Sequence, residues 1–188
     1  TIAVLEGFSG KVYGNNNEPF ADIAMRVISD HIRAVAFAIT DGQLPSNVKA
    51  GYVIRRILRR AVRYGYSYLG LQDPFFHKLV PVLAEQFKDV FPELKAQEDF
   101  VTRVILEEEK SFLRTLESGL KRLDVITTSL KDKGLNTLAG EEVFELSDTF
   151  GFPVDLTALI AREKGFEIDE AGFQAALQEQ KKRSRLDA

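Results

Sequence analysis

Apolar residues recur at three- and four-residue spacing through most of this chain, which is the period of helices that bury one side. From Ala21 to about Thr40 the positions are Ile23, Val27, Ile28, Ile32, Val35 and Ile39, and Asp41-Gly42 is the expected stop. Leu44-Pro45-Ser46-Asn47 then turns the chain, with Ser46 or Asn47 a ready N-cap for a helix ending at Gly70. Asp73-Pro74 is expected to open the next helix, with Asp73 as cap and Pro74 in the first turn, reaching about Val90. Pro92 starts a long helical region, broadly Glu93 to Lys131. It carries Leu94, Val101, Val104, Ile105, Phe112, Leu116, Leu120 and Leu123 on one side, and Gly134 stops it. Three shorter helices follow: Glu141–Thr149, Asp155–Lys164, and one from just after Asp169 to the C-terminus. The first twenty residues, with Gly7, Gly10, Gly14, Asn15-Asn16-Asn17 and Pro19, read as a loop-rich approach with a short strand at Lys11–Tyr13. No other β pattern and no internal repeat is present. The expected fold is all-α: a helical bundle with a long helix and a smaller appended helical subdomain, divided as 1–20, 21–134 and 135–188.

Winding Lys49–Leu69 at about 100° per residue separates two arcs. Val53, Ile54, Ile57, Leu58, Ala61 and Val62 share one, which can enter a core. Tyr52, Arg55, Arg56, Arg59, Arg60 and Arg63 share the other. From Gly42 to Gln72 there is no Asp or Glu, while Lys49 and these five arginines all fall inside that stretch. The chain as a whole has a net charge of -3, so the basicity is local. Two readings stand side by side. The arc is a solvated face neutralised by acids from elsewhere, for which Glu107-Glu108-Glu109 is a compact source. Or it is a face for a polyanion, since guanidinium forks onto phosphate oxygens with two donors. No acid lies three or four residues from any of these arginines, so pairing within the helix does not account for them. Tyr52, Tyr64, Tyr66 and Tyr68 interleave with them, as a surface touching ribose and bases would require.

Length and composition narrow the chemistry. A chain of 188 residues, 45% apolar and 28% charged, buries an ordinary core. It has no cysteine, hence no disulfide, thiol nucleophile or cysteine-ligated zinc. Its two histidines, His31 and His77, are far apart, and structural roles are expected for both. Asp30 and His31 are adjacent in sequence; neighbours on a helix point about 100° apart, so the pair is not expected to face each other as a dyad. There is no GxxxxGK loop and no HExxH pair, so neither catalytic residues nor a metal site are expected. No apolar run approaches the length of a membrane span and no signal-peptide pattern opens the chain, so a cytoplasmic protein is expected. A chain opening on Thr1 and stopping at Ala188 just after a helical run is expected to be part of something longer.

Two polar residues stand out. Asp148 lies in the last turn of a predicted short helix, where a carboxylate meets the negative end of the helix dipole at a cost of about 0.3–1 kcal/mol. Local hydrogen bonding in the turn explains it, as does acceptance of a hydrogen bond from a base amino group. Asn47 is either a helix cap or, if Ser46 caps, an amide free to read a base edge.

The run RVISDHIRAVAFAITDGQLPSNVKAGYVIRRILRRAVRYG (Arg26–Gly65) closely resembles alanyl-tRNA synthetases. EEEKSFLRTLESGLKRLD (Glu107–Asp124) and DTFGFPVDLTALIAREKGFEIDEAGFQAALQEQKKRSR (Asp148–Arg185) resemble the same family in the same order. The resemblance implies the tRNA-recognition middle region, following a class II aminoacylation domain and preceding an editing domain. ATP and Mg belong to the former and Zn to the latter; no cofactor is implied for this segment. It further implies that the acceptor stem of tRNA(Ala) is the partner, identified by a G·U wobble pair. An Asn in the PSN turn and an Asp in the DTFGFP block are credited with sensing that pair, and they fall on Asn47 and Asp148. Lys49, Arg55, Arg56, Arg59, Arg60 and Arg63 would then supply phosphate contacts, giving affinity and register without sequence information. Ser147 departs from the Tyr often found before DTFGFP. The rival expectation is a structural or protein-interaction bundle whose basic face docks on an acidic partner.

Overall fold

The computed structural model describes residues 1–186. It is all-α, with nine α-helices and two two-residue strands among the described residues. The chain clusters into two compact units, Thr1–Arg114 and one beginning at Thr115, a division that falls inside the longest helix, whereas the sequence reading drew its line at Gly134.

The first unit holds α1 (Ile2–Ser9), α2 (Pro19–Thr40), α3 (Lys49–Leu69), a 3-10 turn at Phe76–Leu79, α4 (Val80–Phe87), α5 (Pro92–Ala96) and the first half of α6 (Glu98–Asp132). Its core is built from Leu5, Met25, Ile28, Ile32, Ile39, Leu58, Phe76, Leu79, Leu83, Leu94, Val101, Ile105 and Phe112, all buried. α2 and α3 pack along their lengths, and Gly65 permits the close approach of Phe75. A Cβ there would lie 2.3 Å from the Phe75 ring.

Several expectations are corrected here. Residues 2–9 form a helix instead of a loop, with Leu5 fully buried, and there is no strand at Lys11–Tyr13. The 11–18 segment is instead held by side chains: the Tyr13 N–H donates to Glu6 Oε1 at 2.7 Å and the Gly14 N–H to Asp22 Oδ1 at 2.9 Å. Asp73 caps nothing. The element after α3 starts at Phe76, because the buried carboxylate of Glu109 on α6 accepts the N–H groups of Phe75 (2.7 Å), Phe76 (2.8 Å) and His77 (3.3 Å). The long helix begins at Glu98, separated from α5 at Gln97, whose amide nitrogen donates to the Thr40 carbonyl at 3.3 Å.

The second unit holds the rest of α6, β1 (Thr137–Leu138), α7 (Gly140–Asp148), α8 (Val154–Glu163), β2 (Glu167–Ile168) and α9 (Glu170–Leu186). The last helix was expected to reach the C-terminus; residues 187 and 188 lie outside the described part. β1 and β2 pair in parallel, a ladder too short for the sequence pattern to reveal. Asp169 caps α9 as a short polar residue should, accepting the Gly172 N–H at 2.9 Å. Where α7 and α9 cross, Gly140 and Gly172 bring two backbones together. A Cβ on Gly140 would stand 2.1 Å from the Gly172 carbonyl carbon.

Candidate nucleic-acid interface

The loop before α3 presses on the first turn of that helix. The Ser46 N–H donates to the Gly51 carbonyl at 3.0 Å, and a Cβ on Gly51 would lie 2.1 Å from Ser46 Oγ and 2.4 Å from the Leu44 carbonyl oxygen. The Ser46 hydroxyl donates back to the Val48 carbonyl at 3.0 Å. Lys49 takes a positive φ of 52°, uncommon for a residue with a side chain. Val48 is the N-cap, without a side-chain cap bond, so the expected capping by Ser46 or Asn47 is corrected. The closed loop satisfies the backbone in place of a cap and carries Asn47 outward.

Asn47 is exposed, and its carbonyl oxygen Oδ1 accepts a hydrogen bond from Arg55 Nη1. Arg55, one third of the way along α3, turns its other nitrogens to Glu108 of α6. Nε donates to Oε1 at 2.7 Å and Nη2 to Oε2 at 3.1 Å. Glu108 also accepts from Arg59 Nε at 3.0 Å and Nη2 at 2.8 Å, while that guanidinium sits 5.2 Å from the Phe112 ring centre. Burial lowers the proton affinity of Arg59, and the Glu108 charge opposes that shift.

The basic arc is therefore less open than helical winding implied. Arg63 is buried at 5% exposure, its guanidinium 5.1 Å from the Tyr68 ring centre and 5.6 Å from that of Tyr64. Tyr64 is itself buried, and Tyr68 stacks on Phe20 at 5.3 Å. Tyr64 and Tyr68 pack against arginine guanidinium groups, correcting the expectation that all the tyrosines face a ligand. Arg60 is half-buried and leans on Tyr64 at 5.8 Å, Arg56 is half-buried, and Lys49 is exposed. On the apolar arc Ile54, Leu58, Ala61 and Val62 are buried, but Val53 is exposed.

In the second unit, Asp148 is the last residue of α7 and is exposed. The turn after it is firmly built. The Thr149 N–H donates to the Glu145 carbonyl and the Phe152 N–H to the Leu146 carbonyl, both at 2.9 Å. Gly151 takes φ 69°, Phe152 is fully buried, and Thr115 Oγ donates to the Phe150 carbonyl at 2.7 Å. Among the described residues the Asp148 carboxylate makes no hydrogen bond, so local bonding does not explain its position. The structure leaves it as an acceptor facing solvent.

Sequence reading missed two other polar arrangements. Asp30 and His31 do meet: Asp30 Oδ2 and His31 Nδ1 are 3.1 Å apart. Burial holds the His31 pKa below its ordinary value against the raising effect of Asp30. Glu109, grouped by the sequence with Glu107 and Glu108 as a source of neutralising charge, is fully buried under the 3-10 turn instead, and nothing in the spacing of the EEE block separates its role from that of Glu108. No group of three or more His, Cys, Asp or Glu among the described residues is placed to hold a metal ion, and no described helix is long and apolar enough to cross a membrane. The residues present fit neither the Mg nor the Zn implied above.

The first unit thus carries an arginine-lined helix with an exposed amide ahead of it, and the second an exposed carboxylate at a helix end. Residues 2–188 match the family model described as tRNA synthetases class II (A), and the chain belongs to that family. Among known proteins it is similar to the alanine–tRNA ligase of Flavobacterium psychrophilum, 65% identical over 87% of this chain and 18% of that protein. It is likewise similar to those of Cytophaga hutchinsonii (60% identical; 96% of this chain, 20% of that protein) and Christiangramia forsetii (56%; 98% and 21%). The chain thus spans about a fifth of the length of these relatives.

Proposed function

We propose that this chain is the tRNA acceptor-stem recognition region of an alanine–tRNA ligase, a cytoplasmic enzyme that activates alanine with ATP and Mg and transfers it to the tRNA 3′ end. The catalytic domain and a Zn-dependent editing domain belong to other segments of that enzyme; this region binds RNA and carries no catalytic residue. The functional division proposed with it has residues 1–20 leading from the catalytic domain and helical subdomains at 21–134 and 135–188, beside compact units that meet at Arg114 and Thr115. Asn47 and Asp148 test the G·U pair. The RNA minor groove is wide and shallow enough for both to reach base edges. A wobble pair leaves the guanine 2-amino group without its usual partner, and the Asp148 carboxylate accepts from it.

Lys49, Arg55, Arg56, Arg59, Arg60 and Arg63 supply the phosphate contacts, with Lys49 the most exposed and Arg63 buried. The observation that carries the reading is the exposed amide of Asn47 at the head of the basic helix, in a chain that matches the synthetase family from end to end. The test is binding to an acceptor-stem hairpin with G·U at the third pair against the same hairpin with G·C, with Asp148→Ala alongside. A G·U preference lost in the variant supports the reading. Equal binding reduces the chain to an electrostatic platform, and no binding to either RNA favours a protein-interaction module.

A further inference from the structure

We propose that Glu108 and Arg55 are positioning residues for base recognition, orienting Asn47 so that its amide N–H2 faces outward as a donor. The inference rests on the function proposed above and gives Asn47 a polarity. Guanidinium carries donors only, so the atom of Asn47 that meets Arg55 Nη1 has to be the carbonyl oxygen. The N–H2 group is then on the outer side, where among the described residues it has no partner.

Arg55 cannot rotate away freely. Its Nε and Nη2 edge is fixed on the two oxygens of Glu108 at 2.7 and 3.1 Å, a forked geometry that sets the plane of the group and directs Nη1 to the 44–48 loop. Glu108 is held in turn by Arg59 at 2.8 Å and is only 9% exposed. The loop end is equally constrained, because Gly51 leaves no room between Ser46 and the helix. The three nitrogens of one guanidinium therefore transmit the position of a side chain on α6 to an exposed amide before α3.

The chemistry that suits an outward N–H2 is an acceptor atom in the minor groove, a pyrimidine O2 or a purine N3. Asn47 thus complements Asp148, whose carboxylate can only accept while ionised. One residue presents a donor, the other an acceptor.

The experiment measures Kd for the G·U and G·C hairpins on the 188-residue chain and takes their ratio, which cancels phosphate contacts made equally to both. Arms are the unaltered chain, Asn47→Ala, Asn47→Asp, Glu108→Gln, Arg55→Lys and the Asn47→Ala/Glu108→Gln double variant, with folding checked by circular dichroism and thermal unfolding. Asn47→Asp keeps the acceptor toward Arg55 and puts an oxygen where the N–H2 was. It should lose about tenfold in selectivity, as Asn47→Ala does. Glu108→Gln and Arg55→Lys should each lose several-fold, and Glu108→Gln should have no further effect once Asn47 is Ala. A merely structural role for Glu108 would lower the melting temperature without that dependence on Asn47. Full selectivity in folded Glu108→Gln and Arg55→Lys, beside a loss in Asn47→Ala, overturns the positioning role and leaves the recognition reading intact. Full selectivity in Asn47→Asp overturns the donor polarity. No preference by the unaltered chain overturns both the reading and this inference.

Discussion

Arg55 and Glu108 form a two-bond fork at 2.7 and 3.1 Å between helices whose residues lie 53 positions apart in sequence. Arg59 shares the same carboxylate, so one acid neutralises two of the arginines that made α3 look uniformly basic.

Removing that acid should be costly. Glu108→Ala leaves Arg55 and Arg59, with side chains 21% and 11% exposed, beside an apolar gap and without their counter-charge. Losing one partner of a largely buried pair typically destabilises by about 3 kcal/mol. Urea unfolding should show a lower midpoint with an unchanged slope.

Two glycines of the second unit should differ in their tolerance of Ala. At Gly119 the added Cβ would stand 2.5 Å from the Phe152 ring, a side chain that can shift. At Gly140 it would stand 2.1 Å from backbone atoms of Gly172, which cannot move without displacing α9. Gly119→Ala should cost about 1–3 kcal/mol and Gly140→Ala more, readable in the order of their melting temperatures.

Lys49→Gly should separate stability from binding. Glycine takes φ 52° without the strain a side chain brings, so stability should hold or rise by up to about 1 kcal/mol. If Lys49 meets a phosphate, affinity falls equally for both hairpins and the salt slope shrinks by about 1. A changed G·U to G·C ratio would contradict that assignment.

His31 should make the fold acid-sensitive. Its folded pKa lies below the ordinary 6.5, so the unfolded chain binds more protons there and stability is lost as pH falls. The contribution is fully present above about pH 6.5 and declines below it. Against His31→Gln, the stability difference should be flat from pH 7 to 8 and fall toward pH 5; a rise on acidification would refute the assignment.

Much of this was legible from local pattern. Gly70, Gly134 and Gly165 end or follow helices with φ near 68°, 67° and 81°, the left-handed conformation that made glycine a readable stop. Asp169 caps α9 through the same short-range chemistry, whereas Pro19, read as part of the loop, opens α2 two residues before the expected start. The failures were non-local. Helix α1 is apolar at most positions and holds Gly7, so no one-sided stripe announces it, and Leu5 is defined by what buries it. The 3-10 turn at Phe76 takes its cap from Glu109, more than thirty residues away, so Asp73-Pro74 misled.

The site divides along the same line. That α3 carries an apolar arc and a run of arginines, that cysteine is absent, and that Asn47 and Asp148 sit at helix ends follow from the sequence, because helical period and residue chemistry are local properties. Which arginines are neutralised, and which of them is left to meet the Asn47 carbonyl oxygen, depended on Glu108 arriving from α6. A charge partner 53 residues distant leaves no trace in spacing, and only packing brings it within hydrogen-bond reach.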